Sequence, residues 1–234
     1  MSSVAVGVLA IVIGVPTLAL AEPFLSLYGG AAMPQPTTVT TTVKQSALFS
    51  RSLQFTGSRQ ADFSSSFTVG GRAGYWFERI PGLGLAFDVS YFSARASAVQ
   101  IDVFPMSILA MYRAPLLTSE EYPRGRVRPY AGIGPSFVLA NASTDFSPTV
   151  PSADATSKTV GLDLRAGLDW LLTPELSLFA EYRYLYTKMK AETDCGFNFF
   201  GPCTTNTITA TLETHTVSAG VTYHFELHPV FTLL

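Results

Sequence analysis

The residues best placed to do chemistry stand near the carboxyl end of the chain. Glu213 and His215 are two positions apart, so on an extended strand they share a face, and a carboxylate beside an imidazole can orient it as a general base. Such a site still needs a nucleophile. Ser218 lies three residues beyond His215 and therefore points to the other side of a regular strand. A serine two positions from His215 would share its face, a spacing that is missing here. His224, Glu226 and His228 form a second candidate, because a His-x-Glu-x-His strand can hold a divalent cation. The plainer reading is that the strand ends at Phe225 and the histidines mark an interface. Gly82-Leu83-Gly84 and Gly132-Ile133-Gly134 lie in or beside strands with no helix after them, so they cannot cradle a nucleotide. No catalytic, cofactor-binding or metal-ligating residue is therefore assigned, and no cofactor is expected.

The frame that carries these residues is unusually apolar. Of 234 residues, 47% are apolar and 14% charged, with 15 Lys and Arg against 17 Asp and Glu; mean hydropathy is +0.28. A net charge of −2 supplies no basic surface for nucleic acid. Abundant aromatics and few charges are the opposite of the disordered signature.

Val4 to Leu20 is a nearly unbroken apolar run ending in Ala19-Leu20-Ala21. It reads as a secretory signal peptide, residues 1–21, cut after Ala21; a retained membrane helix is the alternative, but an internal Pro16 and 17 residues make it short for a span. The later uncharged stretches are broken by Pro and Gly and cannot cross as helices. An exported, apolar chain without membrane helices has one other way to satisfy its backbone in a bilayer, a closed barrel. Cys195 and Cys203, eight apart, would meet an oxidising compartment after export, so a disulfide stapling one loop is expected, with a metal pair as the weaker alternative.

Period-two alternation supports the barrel. From Gly161 to Leu172 the even positions are apolar (Leu162, Leu164, Leu168, Trp170), while Asp163, Arg165 and Asp169 occupy the odd ones. After Thr173-Pro174 the pattern resumes with Leu176, Leu178, Tyr182, Tyr184 and Tyr186 opposite Glu181 and Arg183. A second hairpin turns at Ile80-Pro81-Gly82, with Arg72 on one arm and Asp88 on the other. Weaker strands are 24–32, 99–113, 128–142 and 212–225. The expected fold is all-β, an eight-stranded antiparallel up-and-down transmembrane barrel over residues 22–225, with a tail at 226–234. Long outer loops are expected at Met33–Ser65, Ser143–Lys158 and Lys188–Thr211, short turns at the other end. The connection Ala114–Val127 is the exception, read as an enlarged periplasmic turn.

Alternation alone does not say which face is inside, because a soluble lipocalin-like barrel alternates too. Tyr and Trp near strand ends, including Tyr75, Trp170 and Tyr223, suit interfacial girdles on an apolar exterior. Register gives a second reason. A turn centred on Ile80 puts Arg72 opposite Asp88, and one centred on Thr173 puts Arg165 opposite Glu181 and Asp163 opposite Arg183. Unpaired charge in a narrow lumen is costly, whereas paired charge is tolerated. The six residues Arg72, Asp88, Asp163, Arg165, Glu181 and Arg183 are thus expected to fill a closed lumen, joined by Tyr130 and Asp169.

The chain resembles the eight-stranded outer-membrane β-barrel family, OmpA-type transmembrane domains and OmpX-like small barrels. The resemblance rests on Arg128-Pro-Tyr-Ala-Gly-Ile-Gly-Pro135, Gly161-Leu-Asp-Leu-Arg-Ala-Gly-Leu-Asp-Trp170, Glu181-Tyr-Arg-Tyr184 and Gly220-Val-Thr-Tyr-His-Phe225, and spans roughly residues 24 to 225. It implies a bacterial outer-membrane protein inserted by the barrel assembly machinery and surrounded by lipid and lipopolysaccharide. Family members end on a final aromatic; here Glu226–Leu234 continue past Phe225. The expected role is non-enzymatic, structural or surface-interacting and porin-like in form, with an extracellular partner reached through the outer loops. Phe197, Phe199 and Phe200 in the cysteine loop either contact that partner or pack over the barrel mouth. The rival readings are an enzyme acting on lipid A or phospholipid at the outer rim, and a soluble lipocalin-like binding barrel.

Overall fold

A computed structural model describes residues 21–47, 50–61, 63–96, 99–120, 122, 125–144, 155–193 and 203–225. The signal-peptide segment, the tail after Phe225, Phe197, Phe199 and Phe200, and the His228 of the candidate metal strand lie outside them.

Ten strand segments follow in chain order: β1 (Ala21–Pro34), β2 (Thr37–Ala47), β3 (Ser50–Ala61), β4 (Ser66–Phe77), β5 (Leu83–Ala96), β6 (Val99–Arg113), β7 (Val127–Thr144), β8 (Ala155–Leu171), β9 (Leu176–Thr193) and β10 (Cys203–His224). Strands β1 and β4 to β10 pair antiparallel with their neighbours, and β1 also pairs β10, closing the sheet. Eight strands thus form the closed barrel, leaving no sheet edge in the hydrocarbon layer.

The ten segments are eight strands because β1–β2 and β3–β4 are long arms of one hairpin. Ala32 faces Ser66 and Thr37 faces Ala61, five residues forward matched by five back. Against β10 the same arm slips by one: Pro34 faces Thr214, yet Val39 faces Ala210. One extra residue in the arm is a β-bulge, placed at Gln35-Pro36, where the Gln35 amide still donates to the Glu213 carbonyl at 2.8 Å. Within the segment 33–65, expected as a loop, Thr37–Ala47 and Ser50–Ala61 are instead the strands of this hairpin extension. Strands likewise reach into the other two expected outer loops, since β8 begins at Ala155, β9 runs to Thr193 and β10 starts at Cys203.

The disulfide expectation fails in the same region. Cys203 is taken up as the first residue of β10, laddered opposite Ser46 of β2; no disulfide is found among the described residues, and Cys195 lies outside them. The oxidising-compartment reasoning treated this stretch as a free loop, whereas the chain is already strand at Cys203.

Alternation comes out with its apolar side outward. Leu162, Leu168 and Trp170 are exposed, as are Leu178, Tyr182 and Tyr223, while Asp163, Arg165 and Asp169 are buried. A soluble barrel with an apolar interior is thereby ruled out. Short turns at 78–82 and 172–175 and the described chain ends lie at one end. The Ala114–Val127 connection lies there too, folded back by a Leu116–Val127 bridge, with Gly125 at φ 84° and the Tyr122 hydroxyl donating to the Leu172 carbonyl at 3.3 Å. This is the short-turn end of the barrel.

Candidate functional site

The inward faces build the lumen in four layers. At its centre lie the six residues expected from the sequence, three cations against three anions. Arg165, with no exposed side-chain surface, donates to Asp88 at 2.7 and 2.8 Å, to Asp163 at 2.9 and 3.0 Å and to Glu181 at 3.2 Å. Arg72 reaches Glu181 at 2.6 Å and Asp88 at 3.2 Å. Arg183 reaches Asp163 at 2.7 Å and donates to the Ser90 hydroxyl at 2.7 Å. Hydroxyls supply the remaining donors: Tyr28 to Asp88 at 2.9 Å, Tyr130 to Glu181 at 2.9 Å and Ser107 to Asp163 at 2.6 Å. Charges this deep persist only when so densely paired; Arg183 Nε is the one atom of the six residues that is buried without a partner.

The early register is the expected one, Arg72 opposite Asp88. The late one is shifted by two residues: Arg165 faces Arg183, and Glu181 faces Gly167. The turn centres on Pro174 rather than Thr173, and because the shift is even every side chain keeps its face. Arg165 and Glu181 still meet, as do Asp163 and Arg183, by reaching diagonally rather than straight across.

On the short-turn side of the ionic centre, Phe24, Trp76 and Phe179 pack with Tyr28, Tyr130 and Met111. Phe24 stacks on Trp76 with centroids 5.6 Å apart. Room for such rings comes from glycine on the neighbouring strand: a Cβ added at Gly70 would lie 2.4 Å from the Tyr28 ring, and one at Gly167 would lie 2.6 Å from that of Tyr130. Among these aromatics a cavity of about 20 Å³ remains, room for about one water.

Below the aromatics lies a second ionic layer that sequence reading missed apart from Asp169. Glu22 of β1 pairs with Arg113 of β6 at 2.6 Å, and its other oxygen is 2.8 Å from His224 Nδ1 of β10. Arg128 of β7 pairs with Asp169 of β8 and sits 2.8 Å from His224 Nε2, while the Arg113 guanidinium lies 4.4 Å above the Trp76 ring. These residues come from five strands, so only barrel closure brings them together; shared inward parity at the short-turn strand ends is the signal that could have found them. At the opposite end, Ala32, Phe92, Val103, Val138 and Leu185 form an apolar cap. Ionic, aromatic, ionic and apolar layers together close the pore.

Glu213 and His215 lie outside this lumen, on the outward face of β10, as expected. Tyr184 donates to the Glu213 carboxylate at 3.0 Å, and the Tyr182 hydroxyl bonds His215 Nδ1. Ser218 is buried on the inner side. The pair is thus tied to interfacial tyrosines, and no hydroxyl nucleophile joins it on that face through Ser218. His224 points inward into the ion-pair layer, and no metal-binding group of His, Cys, Asp and Glu occurs among the described residues. The lumen is a structural ion-pair network.

The model of the outer membrane protein beta-barrel domain family matches residues 8–225. The chain belongs to that family. Among solved members of this architecture, the outer membrane protein OprG of Pseudomonas aeruginosa is 17% identical, covering 88% of this chain and 97% of its own at a TM-score of 0.56. Neisserial surface protein A is 22% identical over 85% of this chain and 97% of its own, with a TM-score of 0.47. AlkL, solved in lipid bilayers, is 16% identical over 90% and 93%, with a TM-score of 0.45. At these identities it is OprG that supports the shared fold, and the likeness extends to fold alone. No curated protein matches the sequence. For this outer membrane β-barrel the family fixes the bacterial outer membrane as its location, and the layered lumen makes it a closed member.

Proposed function

We propose that this barrel is a rigid surface platform: it does no chemistry and passes no solute, and its tall outer wall meets molecules at the cell exterior. The observation that carries this is the division between a sealed lumen and strands far longer than a membrane needs. A tilted strand crosses in about 9–11 residues, while β7 to β10 run 17 to 22. The apolar outward belt accounts for the membrane part, and the excess projects outward at the end away from the short turns. Lipopolysaccharide is the neighbour this wall would meet, an extracellular partner would meet its tip, and the barrel assembly machinery would read the terminal strand, whose outward Tyr223 and Phe225 pack edge to face at 4.9 Å. Residues 1–21 serve in this reading as the export signal, and 226–234 as a tail outside the barrel.

Epitope tags test it. A tag inserted between Ala47 and Ser50 should be labelled by antibody on intact cells, and one in the connection after β6 only after permeabilisation. Labelling in the reverse order, or of both tags in soluble extract, would overturn the reading.

A further inference from the structure

The outward face of the tall wall changes character in a fixed order from the membrane outward. Leu178 and Leu164 give way to Tyr182, Tyr184 and Tyr186 on β9, where an aromatic girdle belongs. One step further out stand two exposed lysines, Lys158 of β8 and Lys188 of β9. Their strands are tied at that level by Thr159, whose hydroxyl donates to the Lys188 carbonyl at 2.6 Å. Neither lysine makes an ion pair among the described residues. Glu213 and His215, toward the membrane on the same face, are engaged by Tyr184 and Tyr182, and Lys190 holds the next position of the same parity on β9, opposite Thr209.

Level with and beyond the lysines, β10 and the β2–β3 hairpin turn this face into a field of hydroxyls and amides. Lys188 faces Thr211 across the β9–β10 ladder. In the rank above, Thr209 faces Thr40, which faces Ser58; the hairpin adds Thr38 opposite Gln60 and Thr42 opposite Thr56. Directly paired residues point the same way, and Thr209 shares the parity of the exposed Val217, so the field continues the lipid-facing side. Ranks repeat at about 7 Å along the strands and about 4.8 Å across them.

The opposite wall lacks this order. There Tyr91 donates to Asp102 at 2.9 Å, Gln100 donates to the same carboxylate at 3.3 Å, and Arg95 donates to Gln100 at 3.1 Å. Its cation is occupied by its own strand pair, and β5 ends at Ala96.

We propose that the outward face of β8, β9, β10 and the β2–β3 hairpin is a seat for lipopolysaccharide: acyl chains lie against the apolar belt and tyrosines, a lipid A phosphate lies on Lys158 and Lys188, and the core sugars lie on the threonine field. The inference rests on the outer-membrane orientation proposed above and adds to it the site and the chemistry of each layer. Ammonium groups at headgroup depth attract anionic lipid, and ranked hydroxyls offer donors and acceptors to sugar hydroxyls.

The test uses the full barrel purified in detergent and native mass spectrometry with three probes: core-bearing lipopolysaccharide, diphosphorylated lipid A without core, and dephosphorylated lipid A. Wild type should retain them in that order. Lys158→Gln with Lys188→Gln should weaken the two phosphorylated probes about tenfold and erase the advantage of diphosphorylated lipid A over the dephosphorylated form. Thr38→Val with Thr40→Val, which keeps β-branched shape, should leave lipid A binding unchanged and remove the gain from core sugars. An unaltered heat-modifiable gel shift shows that each variant has folded, and Lys188→Gln alone substitutes if the double variant does not. Wild-type-like retention by folded variants, or indifference of the wild type to phosphate, would overturn the seat. If that happens while the tags label as expected, only the seat falls; reversed tags sink the orientation itself.

Discussion

Arg165 and Arg183 lie directly opposite one another across the β8–β9 ladder, both buried, and Asp163 joins them. Its Oδ2 is 2.9 Å from Arg165 and 2.7 Å from Arg183. Like charges directly opposite destabilise a sheet pair, so this carboxylate turns a repulsive pair into a bridge. Asp163→Ala should therefore cost about 3–5 kcal/mol, the range for a buried charge left without its partner. Urea unfolding from lipid vesicles measures it. Adding Arg183→Met should recover part of the loss, a coupling of about 0.5–3 kcal/mol; strictly additive losses would mean that Asp163 does not bridge them.

Packing of the aromatic layer gives an independent prediction. A Cβ at Gly167 meets the Tyr130 ring at 2.6 Å and the Ala180 carbonyl at 2.6 Å, whereas one at Gly132 finds its nearest neighbour, Met111, at 3.4 Å. Gly167→Ala should destabilise by about 1–3 kcal/mol and disturb the Tyr130–Glu181 bond. Gly132→Ala should be neutral or stabilise by up to about 1 kcal/mol. Equal unfolding midpoints for the two variants would contradict this packing.

How far the molecule was legible in its sequence follows from these same residues. Strand alternation and the paired signs of Arg72 and Asp88 are local, so face, closure and the central ion network could be read. The late register missed by one pair of positions because Thr173-Pro174 fixes a turn's place only to within a residue on either side. The second ionic layer was hidden because Glu22, Arg113, Arg128 and His224 stand on four strands far apart in sequence. Inward rings such as Phe24 and Trp76 were overlooked because aromatics were assigned to the exterior. The β2–β3 extension was hidden by Gln35-Pro36, which reads as a strand break, and by a threonine run with no apolar alternation. Cys203 was read through its compartment, and the strand it opens was missed for the same reason.

The extension should be separable from the barrel. Below it, β1 and β4 pair from Ala21–Phe77 to Ala32–Ser66 and β1 pairs β10 from Phe24–His224 to Pro34–Thr214. Replacing residues 35–63 by a short Asn-Gly turn should leave a heat-modifiable, β-rich barrel. Loss of the gel shift would mean that the outer hairpin is needed for closure.

Conductance across planar lipid bilayers tests the sealed lumen most directly. The wild-type barrel, inserted and verified by its heat-modifiable shift, should show no steady ohmic current, because the buried ion pairs of the central network and the packed layers on either side fill the lumen. A stable open channel in the wild type, unchanged when Arg165 is replaced by Ala, would contradict a lumen closed by these ion pairs.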